Sequence, residues 1–394
     1  MHKAVIVGGG IGGLTAALCL HHHGWHAEIL EQASALEAVG AGIQISPNGV
    51  KVLRALGVAD AIERSVFAPR DLQFRNGRTG AIIGRMAMGA AMEARYGAPY
   101  WHVHRADLIA ALSAAVDQRM PGAVRTGVSV TRYHQDAHGI HAQSAQTERI
   151  TGDVLIGADG IKSAIRAHML GPAQPRFTGN VAWRAVVPVS QLGRHTPPPA
   201  ATIWFGEGKH AVTYLLRGGT LANLVGVVER DGWTTENWRE QGTRAQALAD
   251  FAGWHPTITR IMEQAHAHHR WALFDRDPLP RWTDGRAALL GDACHPMLPF
   301  MAQGAVMAIE DSWVLAHSLS RQTDLPRALI GYQNARTART ARVQREARKN
   351  MGIFHRRTRA GKLATYGPLW LASALAPSLM MARNDWLYGH DVTG

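Results

Sequence analysis

The chain has 394 residues, of which 46% are hydrophobic and 18% are charged, and its formal net charge is +12. This length and apolar content predict a large core in about two domains and argue against intrinsic disorder. The two cysteines are not expected to form a disulfide, which fits a reducing cytoplasm. No uninterrupted apolar run reaches about 18 residues, so no membrane span is expected.

The N-terminal segment carries a nucleotide-binding pattern. Lys3–Val7 is a short apolar run that predicts a buried parallel strand. The motif G-x-G-x-x-G follows at Gly8–Gly13, and Leu14–His23 has helical spacing. A second strand, His26–Leu30, leads to Glu31, an acid suited to an adenosine ribose hydroxyl. Because glycines at such a turn let a pyrophosphate approach a helix N-terminus, the segment predicts dinucleotide binding.

A second ligand-binding pattern occupies residues 286–304. Its apolar run predicts a buried strand that leads to Asp292. Two prolines then impose an extended turn, and Gln303 and Gly304 open a long helical pattern. A strand, an acid, a turn and a helix start in this order suit a polyhydroxylated, partly anionic ligand.

Strands and helices alternate along the rest of the chain. The residues from His104 to about Arg119 have helical spacing, and the alternation in Val124–Tyr133 predicts a strand. Val154–Gly157 predicts a buried strand that leads to Asp159. This order predicts an α/β fold in which a β-rich substrate domain interrupts a dinucleotide-binding domain. An antiparallel series is predicted at Thr202–Phe205, Ala211–Leu216 and Leu221–Val228.

Three motifs in this order resemble those of the single-component FAD-dependent aromatic hydroxylases, which share the p-hydroxybenzoate hydroxylase fold. The motifs are Gly8–Gly13, Asp159-Gly160 within the run GADGIKSAIR, and Gly291-Asp292. Within the family, the chain is similar to the branch of 3-hydroxybenzoate 6-hydroxylase and salicylate 1-hydroxylase. The stretches that carry this similarity are Gly40–Leu53, His104–Leu108 and His295–Ala305.

The resemblance implies a Rossmann-like FAD-binding domain, interrupted by a β-sheet substrate domain and followed by a C-terminal helical region. The predicted FAD-binding parts are residues 1–75, 99–172 and 276–345. The predicted substrate-domain parts are 76–98 and 173–275, and the C-terminal helices occupy 346–394.

The resemblance also implies a set of FAD-binding residues. Glu31 would bind the adenosine ribose, and Arg105 would contact the phosphate or ribityl region. Asp292 would bind a ribityl hydroxyl, while Gln303 and Gly304 would lie beneath the pyrimidine end of the isoalloxazine. A helix N-terminus there would stabilise the anionic reduced ring. The other implied residues are Gly8, Gly10, Ile11, Gly12 and Gly13 around the pyrophosphate, Val130 at the adenine, Asp159 near both nucleotides, and Ala302.

The chemistry implied by the resemblance is an oxygen transfer. NADH or NADPH reduces FAD, and reduced FAD reacts with dioxygen to a C4a-hydroperoxide, whose distal oxygen attacks an electron-rich aromatic ring. A phenolate reacts better than a phenol, and a free phenol has a pKa of about 10, so a base should take the proton. The sequence has no second G-x-G-x-x-G motif that would bind a pyridine nucleotide. The choice between NADH and NADPH therefore stays open.

A candidate base lies on a predicted strand of the substrate domain. His210 and Tyr214 are four residues apart, so a period of two places both side chains on one face. The resemblance implies that His210 is the base or a proton relay and that Tyr214 orients the substrate. Gln303 would add a hydrogen bond from the flavin side. In the alternative interpretation, His210 caps a turn and Tyr214 belongs to the ordinary sheet core.

Other polar features have simpler explanations. The histidines at 21–23 and 266–269 lack cysteine or acidic partners at suitable spacing, so no metal site is predicted. Cys294 is expected to be buried and unreactive. Arg184 could bind a substrate carboxylate or form an ion pair on an edge strand. A solvated or subunit-facing surface is predicted for the late arginines that spiral around a helix, namely Arg336, Arg339, Arg342, Arg345 and Arg348.

The leading functional hypothesis is an NAD(P)H-consuming FAD monooxygenase that hydroxylates 3-hydroxybenzoate at position 6. Salicylate 1-hydroxylase and 6-hydroxynicotinate 3-monooxygenase are alternatives on the same scaffold. A non-enzymatic nucleic-acid-binding protein is the remote alternative, because the net charge is positive but no nucleic-acid motif accompanies it. The predicted partners are a small aromatic hydroxy acid and NAD(P)H, with no nucleic acid, and a homodimer is the family expectation.

Overall fold

In the part of the chain that the structure describes, the strands build two large sheets and two small ones. A computed structural model describes residues 2–36, 41–232 and 242–394, so Gly40 lies outside the described residues. The strands are β1 Lys3–Val7, β2 His26–Glu31, β3 Gly42–Ile45, β4 Asp71–Asn76, β5 Ile82–Ala87, β6 Trp101–His104, β7 Val124–Thr126, β8 Val130–Asp136, β9 Gly139–Ser144, β10 Arg149–Gly152, β11 Val154–Gly157, β12 Arg176–Pro188, β13 Ala201–Gly206, β14 Lys209–Leu216, β15 Leu221–Glu229, β16 His269–Asp275, β17 Thr283–Asp284 and β18 Ala287–Leu289.

The helices cover the sheets and form the C-terminal region. They are α1 Ile11–His22, α2 Pro47–Ala55, α3 Ala59–Glu63, α4 Ala90–Tyr96, α5 Arg105–Arg119, α6 Ala164–Leu170, α7 Arg244–Asp250, α8 Pro256–Gln264, α9 Gly304–Arg321, α10 Leu325–Phe354, α11 Arg359–Leu375, α12 Pro377–Ala382 and α13 Asp385–Tyr388. Within the described residues, no helix is long and apolar enough to cross a membrane.

The first large sheet is Rossmann-like. Its order is β17-β18-β11-β1-β2-β7, and every pair except β17 with β18 is parallel. The central strand β1 is buried on both faces, as its uninterrupted apolar sequence requires. Helix α1 packs against α5 and α9, so the carboxyl end of β1 meets the start of α1 beside the start of α9.

The second large sheet has the order β16-β12-β15-β14-β13-β4-β5. Most of its strands come from residues 176–275, and β4 and β5 join them from an earlier part of the chain. Strand β4 pairs in parallel with β13 and begins at Asp71, before residue 76, the predicted start of the excursion. Helices α7 and α8 cover one face of this sheet, while the other face packs toward α10, α11 and the segment that precedes α9.

The prediction of one strand over Val124–Tyr133 is wrong. The segment forms two strands in different sheets, with β7 beside β2 and β8 beside β9. Gly127 lies between them with φ +74°, a conformation that suits glycine and redirects the chain. The alternating pattern continued across this break, so the sequence alone did not reveal it. The predicted α/β fold, with its interrupting β-sheet domain and C-terminal helices, is confirmed.

Candidate active site

A cavity of about 980 Å³ lies between the two large sheets. One side is formed by the N-terminal glycine turn and by the loop that precedes α9. The opposite side is a face of the second sheet, and α11 and α12 contribute further wall residues. Ten of the residues predicted from the sequence line this cavity: Gly10, Ile11, Gly12, Arg105, His210, Tyr214, Asp292, Ala302, Gln303 and Gly304.

The N-terminal turn is tightly packed on one side and open on the other. A Cβ atom on Gly13 would lie 1.9 Å from the Gly8 carbonyl oxygen, and Gly8 itself has φ +108°. A Cβ atom on Gly10 would meet nothing within 4 Å, because this residue faces the cavity. Gly10 is also the N-cap of α1 and offers no side-chain cap, so the first backbone N–H groups of the helix remain available to a ligand.

The other predicted cofactor residues support this region from outside the cavity wall. Glu31 accepts hydrogen bonds from the backbone N–H groups of Gly9, at 2.7 Å, and Ala33, at 2.9 Å. Asp159 accepts from the backbone N–H of Ile165 at 3.1 Å, and burial raises the pKa of its carboxyl group. Val130 is buried at the start of β8. Their predicted contacts with FAD stay a proposal.

The segment before α9 places polar groups on the cavity floor. Asp292 opens onto the cavity in a one-turn 3₁₀ helix, and its deep position raises the pKa of its carboxyl group. Ala302 has φ +53°, which is rare for a residue with a Cβ atom. That conformation turns the chain into Gln303 and Gly304, where α9 begins with its N-terminus toward the cavity. The strand predicted in the apolar run that leads to Asp292 is shorter than expected, because β18 ends at Leu289.

A buried cluster of charged side chains holds this segment in place. Glu310 and Asp311 lie fully buried in α9. Arg336 of α10 binds both of them at 2.7 Å, and Arg339 binds Glu310 at 2.7 Å. His295 donates from Nε2 to Asp311 at 2.5 Å. Burial opposes both shifts, but the neighbouring Cys294 and Asp311 raise the pKa of His295, and His295 and Arg336 lower that of Asp311.

The prediction that the late arginines form a solvated or subunit-facing surface is wrong for two of them. Arg336 is only 1% exposed, and Arg339 is nearly buried. The reason is that α9 carries two adjacent buried carboxylates, and buried carboxylates require cationic partners. Arg342 and Arg345 are exposed, as predicted, whereas Arg348 is half-buried and ion-paired with Asp275 and Asp277.

Two side-chain amides, those of Asn48 and Gln303, connect the charged cluster to the cavity. Asn48 of α2 donates to Glu310 at 2.6 Å and lies 3.4 Å from the Gln303 side-chain oxygen. The Gln303 amide nitrogen donates to the Ser46 hydroxyl at 2.9 Å. Gln303 is therefore fixed on both sides of its amide, which positions it as a rigid part of the cavity floor.

Two histidine-containing groups have the residue types of a metal site. The side chains of Cys294, His295 and Asp311 have potential ligand atoms within 4.8 Å of one another. The Asp311 oxygens already accept from His295 and Arg336, and burial raises the pKa of Cys294, so this group is a hydrogen-bonded cluster. His268 belongs to the histidines at 266–269 and bonds to the Met262 carbonyl at 2.7 Å.

The sheet side of the cavity carries the predicted catalytic pair and one cation. His210 and Tyr214 lie on the cavity face of β14, both buried. Burial lowers the pKa of His210 well below its ordinary value and raises that of Tyr214, so both side chains are neutral. Arg184 lies on β12, between β15 and β16, and not on an edge strand.

Arg184 stacks its guanidinium 4.5 Å from the centre of the Trp271 ring. Its Nε atom is buried without a hydrogen-bond partner, and among the described residues no carboxylate forms an ion pair with it. Burial lowers the pKa of Arg184 to about 10, so the guanidinium is still cationic at neutral pH. A buried cation of this kind favours an anionic ligand.

Known proteins share this architecture and sequence. A family model described as an FAD binding domain matches residues 1–347. The chain belongs to this FAD-binding family. It is 36% identical over 393 residues to 3-hydroxybenzoate 6-hydroxylase 1 of Aquipseudomonas alcaligenes, covering 99% of this chain and 98% of that protein. It is 33% identical to 6-hydroxynicotinate 3-monooxygenase of Bordetella bronchiseptica, covering 99% and 95%.

Solved structures agree with these relatives. HpxO of Klebsiella pneumoniae, in complex with FAD and uric acid, superposes with a TM-score of 0.87 at 29% identity, covering 98% of this chain and 97% of that one. The protein is therefore an FAD-dependent aromatic monooxygenase, and FAD, NADH or NADPH, and dioxygen are its cofactor and co-substrates. The resemblance to this family and the prediction of an enzyme are confirmed, which sets aside the nucleic-acid alternative.

The residues along the cavity fit FAD. The uncapped start of α1 suits a pyrophosphate, because backbone N–H groups and the helix dipole both favour an anion. The open space at Gly10 leaves room for that group, and Asp292 can accept from a sugar-alcohol hydroxyl farther along. The start of α9 supplies partial positive charge beside Gln303, where a reduced isoalloxazine would carry its negative charge.

Replacing Gly10 by alanine tests the open side of the turn. The backbone of Gly10 is extended (φ −78°, ψ −172°), so Gly10→Ala should change the unfolding free energy of the apoprotein by no more than about 1 kcal/mol. Its methyl group would occupy the pyrophosphate position, so FAD affinity should fall by at least about tenfold. Fluorescence titration of apoprotein with FAD measures this. Gly331→Ala, on α10 in open space, is the matched control; wild-type FAD affinity in Gly10→Ala would contradict the assignment.

Removing Arg336 tests the charged cluster. Arg336→Ala leaves two buried carboxylates short of a cation, so the unfolding free energy should fall by about 3–5 kcal/mol. Arg345→Ala removes an exposed arginine from the same helix and should cost no more than about 0.5 kcal/mol. Urea unfolding of the FAD-loaded proteins measures both changes. Equal losses in the two variants would show that the cluster contributes little.

Proposed function

We propose that this monooxygenase hydroxylates an aromatic ring that bears both a hydroxyl and a carboxylate, with 3-hydroxybenzoate and its position 6 as the leading choice. The observation that carries the proposal is that one cavity face holds a neutral His210 and a cationic Arg184, which has no carboxylate partner among the described residues. The first can accept a phenol proton, and the second can bind a carboxylate. Two relatives, 3-hydroxybenzoate 6-hydroxylase 1 and 6-hydroxynicotinate 3-monooxygenase, are named for hydroxylated aromatic acids of this kind.

His210 acts as the general base in this proposal. Its imidazole is neutral because of burial, so a ring nitrogen is free to accept the phenol proton. The resulting phenolate is more electron-rich than the phenol, which raises the reactivity of the ring toward an electrophile. Tyr214 lies on the same face and orients the ring, and its own hydroxyl stays protonated.

Arg184 fixes the other end of the substrate. The register of β12, β15 and β14 aligns Arg184 with Val225 and Val212, whereas His210 aligns with Val227. The cation and the base are therefore two strands apart and offset by two residues along the strand, or about 12 Å between backbones, and the arginine side chain shortens that gap. This spacing suits an aromatic acid whose hydroxyl and carboxylate are not adjacent, which favours 3-hydroxybenzoate over salicylate.

The floor of the cavity supplies the oxidising side. When bound and reduced by NADH or NADPH, FAD supplies an electrophilic oxygen atom derived from dioxygen. Gln303 and Gly304 hold the ring-facing end of the site rigid, and the apolar side chains of Leu298 and Phe300 exclude water between the floor and the sheet. Exclusion of water favours transfer of the oxygen to the substrate.

A substrate panel tests the proposed function. FAD-loaded enzyme is mixed with NADH or NADPH and with 3-hydroxybenzoate, salicylate, 6-hydroxynicotinate or 3-hydroxybenzyl alcohol, the last as a control without carboxylate. We expect 3-hydroxybenzoate to give the fastest coupled oxidation and a 2,5-dihydroxybenzoate product by mass spectrometry and NMR. 6-Hydroxynicotinate, which the second relative's name specifies, is the competing candidate. Oxidation of the pyridine nucleotide without a hydroxylated product from any acid would refute the proposal.

The variant Arg184→Met tests the carboxylate contact separately. Loss of a charge-assisted contact should weaken 3-hydroxybenzoate binding by at least about tenfold and leave 3-hydroxybenzyl alcohol within about twofold. The ligand-free variant should be as stable as the wild type or more stable, because the buried guanidinium has no carboxylate partner among the described residues. Flavin absorbance titrations and thermal unfolding measure these effects. Equal weakening for the two ligands would contradict a carboxylate contact.

A further inference from the structure

A chain of hydrogen bonds leads from His210 to the protein surface. His210 Nδ1 lies 2.7 Å from Nε2 of His355, the residue that follows α10. His355 Nδ1 lies 3.0 Å from Oε1 of Glu229, at the end of β15. Both histidines are buried, whereas the Glu229 side chain is 34% exposed. The chain thus connects the cavity wall with solvent through three side chains.

The carboxylate at the outer end determines which ring nitrogens carry protons. Arg357 pairs with Glu229 and, with His355, holds its pKa below the ordinary value despite burial, so Glu229 is an ionised acceptor. His355 must therefore donate from Nδ1, and because burial keeps it neutral, its Nε2 must accept. His210 must then donate from Nδ1 to His355, which leaves the lone pair of His210 Nε2 free.

We infer that His355 and Glu229 form a proton relay that orients His210 as the base and carries the substrate proton to solvent. This inference rests on the proposed function of His210. Neither His355 nor Glu229 lines the cavity, so they are positioning residues that act through His210. Phe300 and Phe354 pack edge-on against the His210 ring, which restricts its rotation and keeps Nδ1 toward His355.

The proton transfers balance along the chain. The phenol O–H bond breaks and an N–H bond forms at His210 Nε2, while the Nδ1 proton of His210 passes to His355 Nε2. The Nδ1 proton of His355 passes to Glu229, which releases it to water. The net change is one phenol converted to phenolate and one proton in solvent. The reverse shifts protonate the product hydroxyl before release and restore the starting tautomers.

The first arm of the test reads the tautomers without turnover. Long-range ¹⁵N–¹H spectra of FAD-loaded protein with ¹⁵N-labelled histidine report which ring nitrogen carries hydrogen. Peaks of His210 and His355 are assigned by their loss in His210→Gln and His355→Gln. We expect hydrogen at Nδ1 of both rings and an unprotonated Nε2 on His210. Hydrogen at His210 Nε2 in the ligand-free protein would overturn the inference, whatever the substrate proves to be.

The second arm measures the reaction in His355→Gln and Glu229→Gln with 3-hydroxybenzoate, or with the panel acid that the wild type hydroxylates fastest. Both variants should bind FAD and the acid within about twofold of the wild type but hydroxylate at least about tenfold more slowly at neutral pH. The deficit should shrink as pH approaches about 10, where the phenol ionises unaided. Glu229 forms the outer end of the relay and is paired with Arg357, and the neighbouring Glu207 is paired with Lys362.

The matched control is His141→Gln, which removes a buried histidine bonded to the carboxylate of Asp136 at 2.9 Å, on β9 away from the cavity. It should keep the wild-type rate and pH profile. If His355→Gln and Glu229→Gln also keep the wild-type rate and pH profile, His355 and Glu229 carry no proton and the relay is refuted. If the wild type hydroxylates no acid in the panel, the proposed function fails, and the tautomer spectra still decide the hydrogen-bond order.

Discussion

The cost of burying two adjacent carboxylates in α9 constrains the rest of the structure. The side chains of Glu310 and Asp311 are inaccessible to solvent, so each carboxylate needs a cationic partner in order to stay ionised. Arg336, Arg339 and His295 meet that need, and in doing so they tie α9 to α10 and to the segment before α9. Hydrophobic contacts alone would allow α9 to slide along α10. The ion pairs and hydrogen bonds are directional, so they fix the position of the segment before α9 and of the first turn of α9.

Helix α10 extends this constraint across the molecule. Arg336 anchors its first half to the flavin side, and the helix continues for roughly 27 Å to Phe354 at 1.5 Å per residue. There His355 meets His210 on the sheet side. Helix α10 therefore helps to position both the cavity floor and the proposed base. The two sides of the cavity are thus held by the same helix.

Local patterns in the sequence predicted the parts of the fold that depend on near neighbours. Gly8–Gly13, the strands on either side and the helix start at Gly304 were predictable because strand, turn and helix signals are contiguous. His210 and Tyr214 share a face because strand periodicity requires it. The pairing of Arg336 with α9 was not predictable from spacing, since its partners lie on another helix and burial reverses the usual preference of arginine for solvent.

His355 and Arg184 illustrate the same limit in the site. Glu229 and His210 lie 126 and 145 residues from His355, so no motif joins the three side chains. The two interpretations of Arg184 could be separated only by the strand order, which places β12 inside the sheet and its guanidinium against Trp271. Function in this protein thus depends on contacts that appear only when the sheets are assembled.

A crystal structure with FAD and 3-hydroxybenzoate tests the central claim most directly, because it shows the contacts of the flavin and of the substrate in one experiment. We expect the isoalloxazine beside Gln303 and Gly304, the substrate carboxylate within hydrogen-bond distance of Arg184, and the phenolic oxygen at His210 Nε2. A substrate bound with its carboxylate at His210, or outside the space between the floor and the sheet, would contradict it.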